Sequence, residues 1–299
     1  MEDQEPFRLV VCDLDGTLLD GEHSGGSFSE ETKKVLKQVI SFACPLVLAT
    51  ARGISELPPL DGLPEPLFLI LYGGAVCMEL RDGTFHQLEA QQLSRREAGE
   101  AVRAAEAEGA SLWLFQPDQV HIKFGVKGVE ESNGWMEQHV AAEAKSVHAK
   151  LEDLEAVLAE DRSLEVVAVL PEPDAAKERL ERRLQGAGMQ VDVLSQAPDP
   201  FVSIKASGVD KGSGLRRLCA HLALTPSFAV AFGDGGNDIP LLTTAGYGVA
   251  VANARETLKA VASKTSTWRN TEDAVAQELL LLAQRRLLAA TRGAAVNAR

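Results

Sequence analysis

Asp13 and Asp15 stand one residue apart at the end of the apolar run RLVVCD, residues 8–13. Taking a carboxylate out of water is costly, so two acids closing a buried strand need a compensating partner or a chemical task. Three other apolar runs also stop on unusual residues. PLVLAT (45–50) ends at Thr50 with Arg52 just beyond, and LFLILY (67–72) ends at the Gly73-Gly74 pair. FAVAFGD (228–234) ends at Asp234 and runs on through Asn237 and Asp238. Lys211, in VDKGSG ahead of a helical pattern, supplies a cation. In an open parallel sheet the ligand sits beyond the carboxyl ends of the strands, so parallel strands would bring all of these residues to one edge. Acids gathered there repel one another unless a hard divalent cation such as Mg2+ takes their oxygens. That cation accepts one or two protein carboxylates alongside phosphate oxygens. One carboxylate on the metal with another free to attack suits phosphoryl transfer, because aspartate forms an acyl phosphate that divides hydrolysis into two easier steps. Asp13 and Asp15 point to the same side of the chain. One can attack phosphorus while the other handles the leaving-group proton. Thr50 would donate to a phosphoryl oxygen, and Lys211 would offset charge on nucleophile and phosphate. The turn at Gly16 would offer backbone N–H groups to the anion.

Alternating strands and helices would position these residues. The runs at 8–13, 45–50 and 67–72 are almost continuously apolar, as strands buried on both faces are. Ser27 or Ser29 caps a helix whose apolar stripe is Val35, Leu36, Val39 and Ile40. The same style returns at 228–234 and in YGVAVANA (247–254), and a last helix spans 271–290 with Thr271 at its cap. The expected fold is α/β, a doubly wound parallel sheet. The middle of the chain differs. A charged, alanine-rich helix over 92–109 precedes the half-buried strands SLWLF (111–115) and VHIKFGV (120–126). Helices over 129–145 and 151–160, the strand LEVVAVL (164–170) and a charged helix over 174–187 follow. This block is read as an inserted α+β domain. The expected division is 1–77 for the first part of the core, 78–204 for the insert and 205–299 for the second part. Within the insert, Trp113, Phe115, His121, Lys123 and Phe124 are either core aromatics with a solvated face or a face closing on a leaving group through His121 and Lys123. Lys205 is either a second cationic group or a solvated loop lysine. Arg52 is either a surface charge at a helix start or a phosphate or structural contact.

Composition narrows the classes. The 299 residues carry a formal charge of -13, with 45% hydrophobic and 24% charged residues. No basic stripe is visible, so nucleic acid is not an expected partner. No stretch has the ~18 apolar residues of a membrane span, and the opening MEDQEPF is acidic and unlike a leader. The four cysteines are widely spaced with no Cys-x-x-Cys pair and are expected as buried thiols. KGSG is not a P-loop, because the glycine that motif requires upstream is absent. A cytoplasmic protein, monomer or homodimer, is expected, with no membrane partner.

The ordered set Asp13-x-Asp15-Gly16-Thr17, Thr50, Lys211-Gly212 and Gly233-Asp234-Gly235-Gly236-Asn237-Asp238 resembles the haloacid dehalogenase superfamily of phosphohydrolases. It is most similar to the Cof-type, class IIB branch. The resemblance covers residues 8–76 and about 203–285, including PLLTTAGYGVAVANARETLKAVA (240–262). It implies a Rossmann-like core with an inserted α/β cap that closes over the site and selects substrate. It also implies a Mg2+-dependent phosphatase acting on a small phosphorylated metabolite. By the same resemblance Asp13 is the nucleophile and a metal ligand. Asp15 is the general acid and base, with its backbone carbonyl on the metal, and Asp234 is the side-chain ligand. Asp238 holds metal-bound water or orients Lys211, and Asn237 contacts the phosphate side. Gly16, Thr50, Arg52, Gly74 and Lys211 complete the expected phosphate and substrate set. The chain departs from the branch at Gly73-Gly74-Ala75, where Asn-Gly-Ala is frequent, and at ATAR (49–52), where TGR is frequent. A phosphomutase using the same aspartyl phosphate, or a catalytically weak phosphometabolite-binding relative, remains the alternative.

Overall fold

The computed structural model describes residues 5–19, 26–41, 43–117, 119–123, 147–150, 154–170, 173–184, 186–195 and 201–289. The chain divides into two compact units. The first comprises Met1–Arg52, Leu57–Glu89 and Asp210–Arg299, and the second Gly53–Glu56 and Ala90–Val209.

In the first unit, eight described strands form one sheet. Numbered along the chain, they are β1 (Leu9–Cys12), β2 (Leu46–Ala49), β3 (Leu67–Leu71), β4 (Val76–Arg81), β5 (Thr84–Ala90), β12 (Ala229–Gly233), β13 (Tyr247–Ala250) and β14 (Lys264–Thr265). Their spatial order is β14-β13-β12-β1-β2-β3-β4-β5. From β14 to β3 the pairs are parallel, and β4 runs antiparallel to β3. The apolar runs arise because both faces are covered. Leu9, Val11, Val47, Ala49, Phe68, Ile70, Ala229 and Ala231 alternate onto one face. There they pack with Leu215 and Leu218 of α5 (Lys211–His221) and with Leu241 and Leu242 of α6 (Ile239–Thr244). The intervening Val10, Cys12, Leu46, Leu48, Leu69, Val230 and Phe232 are buried as well. On other segments α1 (Glu30–Val39) packs on α8 (Ala274–Gln284). Ser29 caps α1, and Thr32 Oγ1 donates to Asp273 Oδ1 at 2.9 Å. The strand order reverses between β1 and β12, the place where a doubly wound sheet opens a crevice for ligands.

The expected boundary at residue 78 falls elsewhere. β4 carries five consecutive buried residues and covers the edge of β3, so it belongs to the core sheet. β5 follows through the turn Asp82-Gly83, both at positive φ, and is mostly exposed. Its alternating pattern looks like that of the insert, and the Asp-Gly dipeptide is the hairpin signal that ties it to β4. The last helix is also capped two residues later than expected. Thr271 lies in the short 3-10 turn Asn270–Glu272, and Asp273 in the left-handed region precedes α8.

The second unit holds a sheet of order β10-β11-β9-β6-β7-β8 among the described residues. Its strands are β6 (Ser111–Phe115), β7 (Gln119–Lys123), β8 (Val147–Lys150), β9 (Glu165–Val169), β10 (Met189–Ser195) and β11 (Phe201–Ala206). Its helices are α2 (Arg95–Ala107), started by a Ser94–Glu97 capping box, α3 (Leu154–Leu158) and α4 (Pro173–Arg183). Trp113 and Phe115 are buried and meet edge to face, as core aromatics do. His121 is buried against Gln116 Oε1 at 3.3 Å. The helix expected over 129–145 and residue Phe124 lie outside the described residues. Lys205 is not a loop lysine. It sits buried on β11, opposite Gln190 of β10, with Asp192 Oδ2 of the same face 3.5 Å from Nζ. It lies beside Glu165, whose carboxyl is raised by burial despite Lys205 and the Ser203 hydroxyl. β10 and β11 place the end of the insert after residue 204, at Val209.

Candidate active site

Four side chains of the first unit, Asp13, Lys211, Asp234 and Asp238, are brought together by strand ends and one helix start. Asp13 follows β1, and its N–H donates to Phe232 O of β12 at 3.0 Å, which ties it to the neighbouring strand. Asp234 and Asp238 lie on the loop after β12. Asp238 Oδ2 accepts the N–H groups of Asp234 at 3.0 Å and Gly235 at 2.9 Å, and this closes the loop upon itself. Lys211 is the first residue of α5, whose start is set by a box in which Asp210 Oδ1 accepts Ser213 N–H at 2.6 Å. α5 comes close because Gly74 lies under it at φ +115°, where a Cβ would collide with the carbonyl of Asp210. Lys211 is 1% exposed and donates to Asp13 Oδ1 and to Asp238 Oδ1, each at 2.6 Å.

Charge decides what this cluster can hold. Burial opposes the Lys211 ammonium, but the carboxylates of Asp13 and Asp238 outweigh it and drive its pKa up. Asp13 is raised well above the ordinary carboxylate range by burial and by Asp238 and Asp234, against the pull of Lys211. Asp234 is pushed up to about 6, first by burial and then by Asp238. Asp13, Asp234 and Asp238 offer oxygens that all lie within 4.8 Å of one another. A single ammonium among three carboxylates leaves negative charge in excess, and an all-oxygen donor set of this kind fits a hard divalent cation. The oxygens are not equally available. Both oxygens of Asp238 already accept hydrogen bonds, from Lys211 and from two backbone N–H groups. Asp238 therefore positions Lys211 and the loop, and Asp13 and Asp234 are the carboxylates with an oxygen less committed to such bonds.

Asp15 stands apart from that cluster. Its carboxylate is held in a fork by Arg52, with Nε to Oδ2 at 2.9 Å and a terminal nitrogen to Oδ1 at 2.5 Å. The geometry does not offer this carboxylate to the metal, because both oxygens face the guanidinium. Arg52 is thus no surface charge at a helix start. Its side chain is 11% exposed, and its N–H donates to Thr50 Oγ1 at 3.1 Å. Thr50 follows β2, is buried and retains its hydroxyl proton to donate. Gly16 adopts φ +75°, and a Cβ there would lie 2.5 Å from Asp234 Oδ2. The turn after β1 can approach Asp234 this closely only with glycine. Thr17 Oγ1 reaches Asp234 Oδ1 at 3.4 Å.

Gly74 is buried beneath α5 and its carbonyl accepts from Arg217, so it shapes the core. Asn237 is exposed and folds back toward Gly235. The sequence reasoning passed over Asn253 and Asn270, whose amides hold the Gly16 turn. Asn253 Nδ2 donates to Gly16 O at 2.8 Å, and Asn270 Nδ2 donates to Leu19 O at 2.9 Å. The signal was present in VAVAN, a further apolar run from a core strand that stops on a polar side chain at the same sheet edge.

A sequence profile of the haloacid dehalogenase-like hydrolases matches residues 10–279. The chain belongs to that family. Among curated haloacid dehalogenase-like relatives, it is 28% identical over 263 residues to the HMP-PP phosphatase of Serratia proteamaculans strain 568, covering 85% of this chain and 87% of that protein. It is 23% identical over 274 residues to the 5-amino-6-(5-phospho-D-ribitylamino)uracil phosphatase YcsE of Bacillus subtilis strain 168, covering 91% and 94%. The fold is that of the haloacid dehalogenase superfamily phosphatase BT1666 of Bacteroides thetaiotaomicron, with a TM-score of 0.75 at 22% identity over 95% of this chain and 97% of that one. The family expected from the ordered motifs is the family found. No helix among the described residues is long and apolar enough to cross a membrane.

Proposed function

We propose that this haloacid dehalogenase-like hydrolase is a Mg2+-dependent phosphatase of a small phosphorylated metabolite, working through a phosphoryl group carried on Asp13. The observation that carries the reading is the Lys211 ammonium locked between Asp13 and Asp238, with Asp234 beside them and a second, independently held carboxylate at Asp15. Lys211 takes one oxygen of Asp13 and fixes the carboxylate plane, and the other oxygen attacks phosphorus. Asp15 gives a proton to the departing oxygen. It then takes one from the water that cleaves the acyl phosphate and frees Asp13. Thr50 donates its hydroxyl proton to a phosphoryl oxygen, and Lys211 offsets the charge that builds there. Asp13 and Asp234 would hold a divalent cation, which would supply charge neutralisation and polarise the phosphoryl group. The relatives named above act on small phosphorylated metabolites, which supports the same substrate class here. The alternating sheet and helices of Ala90–Val209 are proposed as the element that selects among them.

Purified protein given a panel of phosphorylated metabolites with magnesium should release inorganic phosphate, rather than an isomerised ester, from at least one of them. Chelator should stop the release, and full activity in EDTA would exclude the metal. The site's titration adds a physical check. Asp234 has its folded value near 6, above its ordinary 3.8. The folded state therefore binds more protons than the unfolded chain between these values, and the metal-free protein loses stability as pH rises through that window. Millimolar magnesium is expected to raise the melting temperature more at about pH 8, where Asp234 is ionised, than at about pH 5, where protons compete. An equal shift at both would remove Asp234 from the metal's ligands.

A further inference from the structure

We propose that Asn253, backed by Asn270, is the positioning residue for Asp15 in proton transfer. The inference rests on the phosphatase reading above, in which Asp15 handles the leaving-group proton. Arg52 holds the carboxylate end of Asp15. That grip alone does not locate Asp15 relative to Asp13, because Asp15 rides on a turn. The turn must be held to the same framework as the other acids.

Asn253 does this. It lies just beyond β13, on a segment laced to the loop that carries Asp234. Val251 N–H donates to Gly233 O at 3.2 Å, and Arg255 N–H donates to Asp234 O at 2.9 Å. From that anchored segment the Asn253 side chain spans to the Asp15 turn, where Nδ2 donates to Gly16 O at 2.8 Å. Its other end is not free to rotate. Oδ1 accepts the backbone N–H of Asn270 at 2.9 Å. A backbone N–H can only donate, so the oxygen must face Asn270 and the nitrogen must face Gly16. Asn270 then donates its own Nδ2 to Leu19 O at 2.9 Å. Two amides thus hold the carbonyls of Gly16 and Leu19. Between them, Leu14 O collects the N–H groups of Thr17, Leu18 and Leu19 at 3.0 to 3.2 Å. The turn that aims Asp15 is fixed at its start by β1, at Gly16 by Asn253 and at its close by Asn270. Gly16 also has φ +75°, a conformation from which a glycine turn can relax in several directions once its carbonyl is released.

The residues bind no substrate in this scheme, so their effect must appear through Asp15. A proton donor matters most when the leaving oxygen is a poor leaving group and little when it is a good one. The test compares phenyl phosphate with 4-nitrophenyl phosphate by kcat/KM, for wild type, Asp15→Asn, Asn253→Asp and Asn270→Asp. Asn253→Asp keeps the acceptor for Asn270 but sets an oxygen against the carbonyl of Gly16. It should lose at least about tenfold more on phenyl phosphate than on 4-nitrophenyl phosphate. Inhibition by inorganic phosphate should weaken no more than kcat/KM on 4-nitrophenyl phosphate does, which separates lost phosphate contacts at the Gly16 turn from lost proton transfer. Asn270→Asp keeps its backbone N–H and should show the same bias more weakly; it serves if Asn253→Asp fails to fold. Equal losses on both esters, in a set where Asp15→Asn does show the bias, would overturn the positioning role. Absence of the bias in Asp15→Asn itself would instead overturn the proton-transfer reading on which it rests.

Discussion

Asp13→Asn is expected to abolish phosphate release, by at least about 10^4-fold in kcat, while the metal-free variant melts no lower than wild type. Both expectations follow from replacing the buried carboxylate by a neutral amide. The asparagine amide keeps the size of the side chain but cannot form an acyl phosphate, so the two-step route closes. A nucleophile is worth far more than the ~1.4 kcal/mol that separates rates tenfold apart. Stability goes the other way because the carboxylate is poorly placed for charge. Burial, Asp238 and Asp234 raise Asp13 well above its ordinary range even with Lys211 2.6 Å away. A carboxylate whose folded value is raised destabilises the fold at neutral pH, and a neutral isostere removes that cost. Lys211 keeps Asp238 as its partner. Phosphate release and thermal denaturation of the same preparation decide the matter. Turnover within about tenfold of wild type would sink the covalent route. A melting temperature well below wild type would mean that Asp13 holds the fold and would leave the activity loss without mechanistic weight.

The core and the acids were legible for the same reason. A parallel strand buried on both faces is an apolar run, and the polar residue that stops it marks the sheet's carboxyl edge. Asp13, Thr50 and Asp234 were found this way. Lys211 and Arg52 were named too, but the pairing of Arg52 with Asp15 and the role of Asn253 were not legible, because such contacts act over sequence gaps that carry no local pattern. Arg52 reaches Asp15 across 37 positions, and Asn253 reaches Gly16 across 237. An asparagine among small residues has none of the ionisable character that draws notice. The pairing of the acids was hidden for a related reason. Acid types at strand ends suggest ligands, but only coordinates show that Arg52 faces both carboxylate oxygens of Asp15 and that Asp238 accepts from Lys211 and the loop. Lys205 stayed between two readings because MQVDVLS (189–195), whose alternation of polar and apolar residues is a strand pattern, was not recognised as the partner of the segment that carries it. Its Asp192 is what makes a buried lysine tolerable on β11.

Lys211→Met is expected to cost at least about 3 kcal/mol of stability in the metal-free protein at about pH 8, lowering the melting temperature by about 6 °C or more. Activity should fall at least about 10^2-fold as well. Methionine fills much the same space without charge, so the change isolates the ammonium. Its loss leaves the carboxylates of Asp13 and Asp238 buried beside Asp234 with their shared cation gone. Breaking a buried charge set by removing one partner is costly because the rest stay desolvated. The pH dependence identifies the cause. The Lys211 pKa lies above its ordinary value, so its contribution is fully present across the acidic and neutral range and cannot itself vary between pH 5 and 8. The carboxylates do vary. Lys211 lowers both Asp13 and Asp234, and without it their folded values climb further above the ordinary 3.8. Stability of the variant must therefore fall as pH rises from about 4 through those raised values, and the deficit must shrink at about pH 5 as protons replace the missing ammonium. Magnesium should recover part of the loss at about pH 8 by the same neutralisation. Melting curves of both proteins at the two pH values, with chelator and with magnesium, test it. A deficit of equal size at both pH values would show that Lys211 acts by packing alone, and the electrostatic account of the site would fail with it.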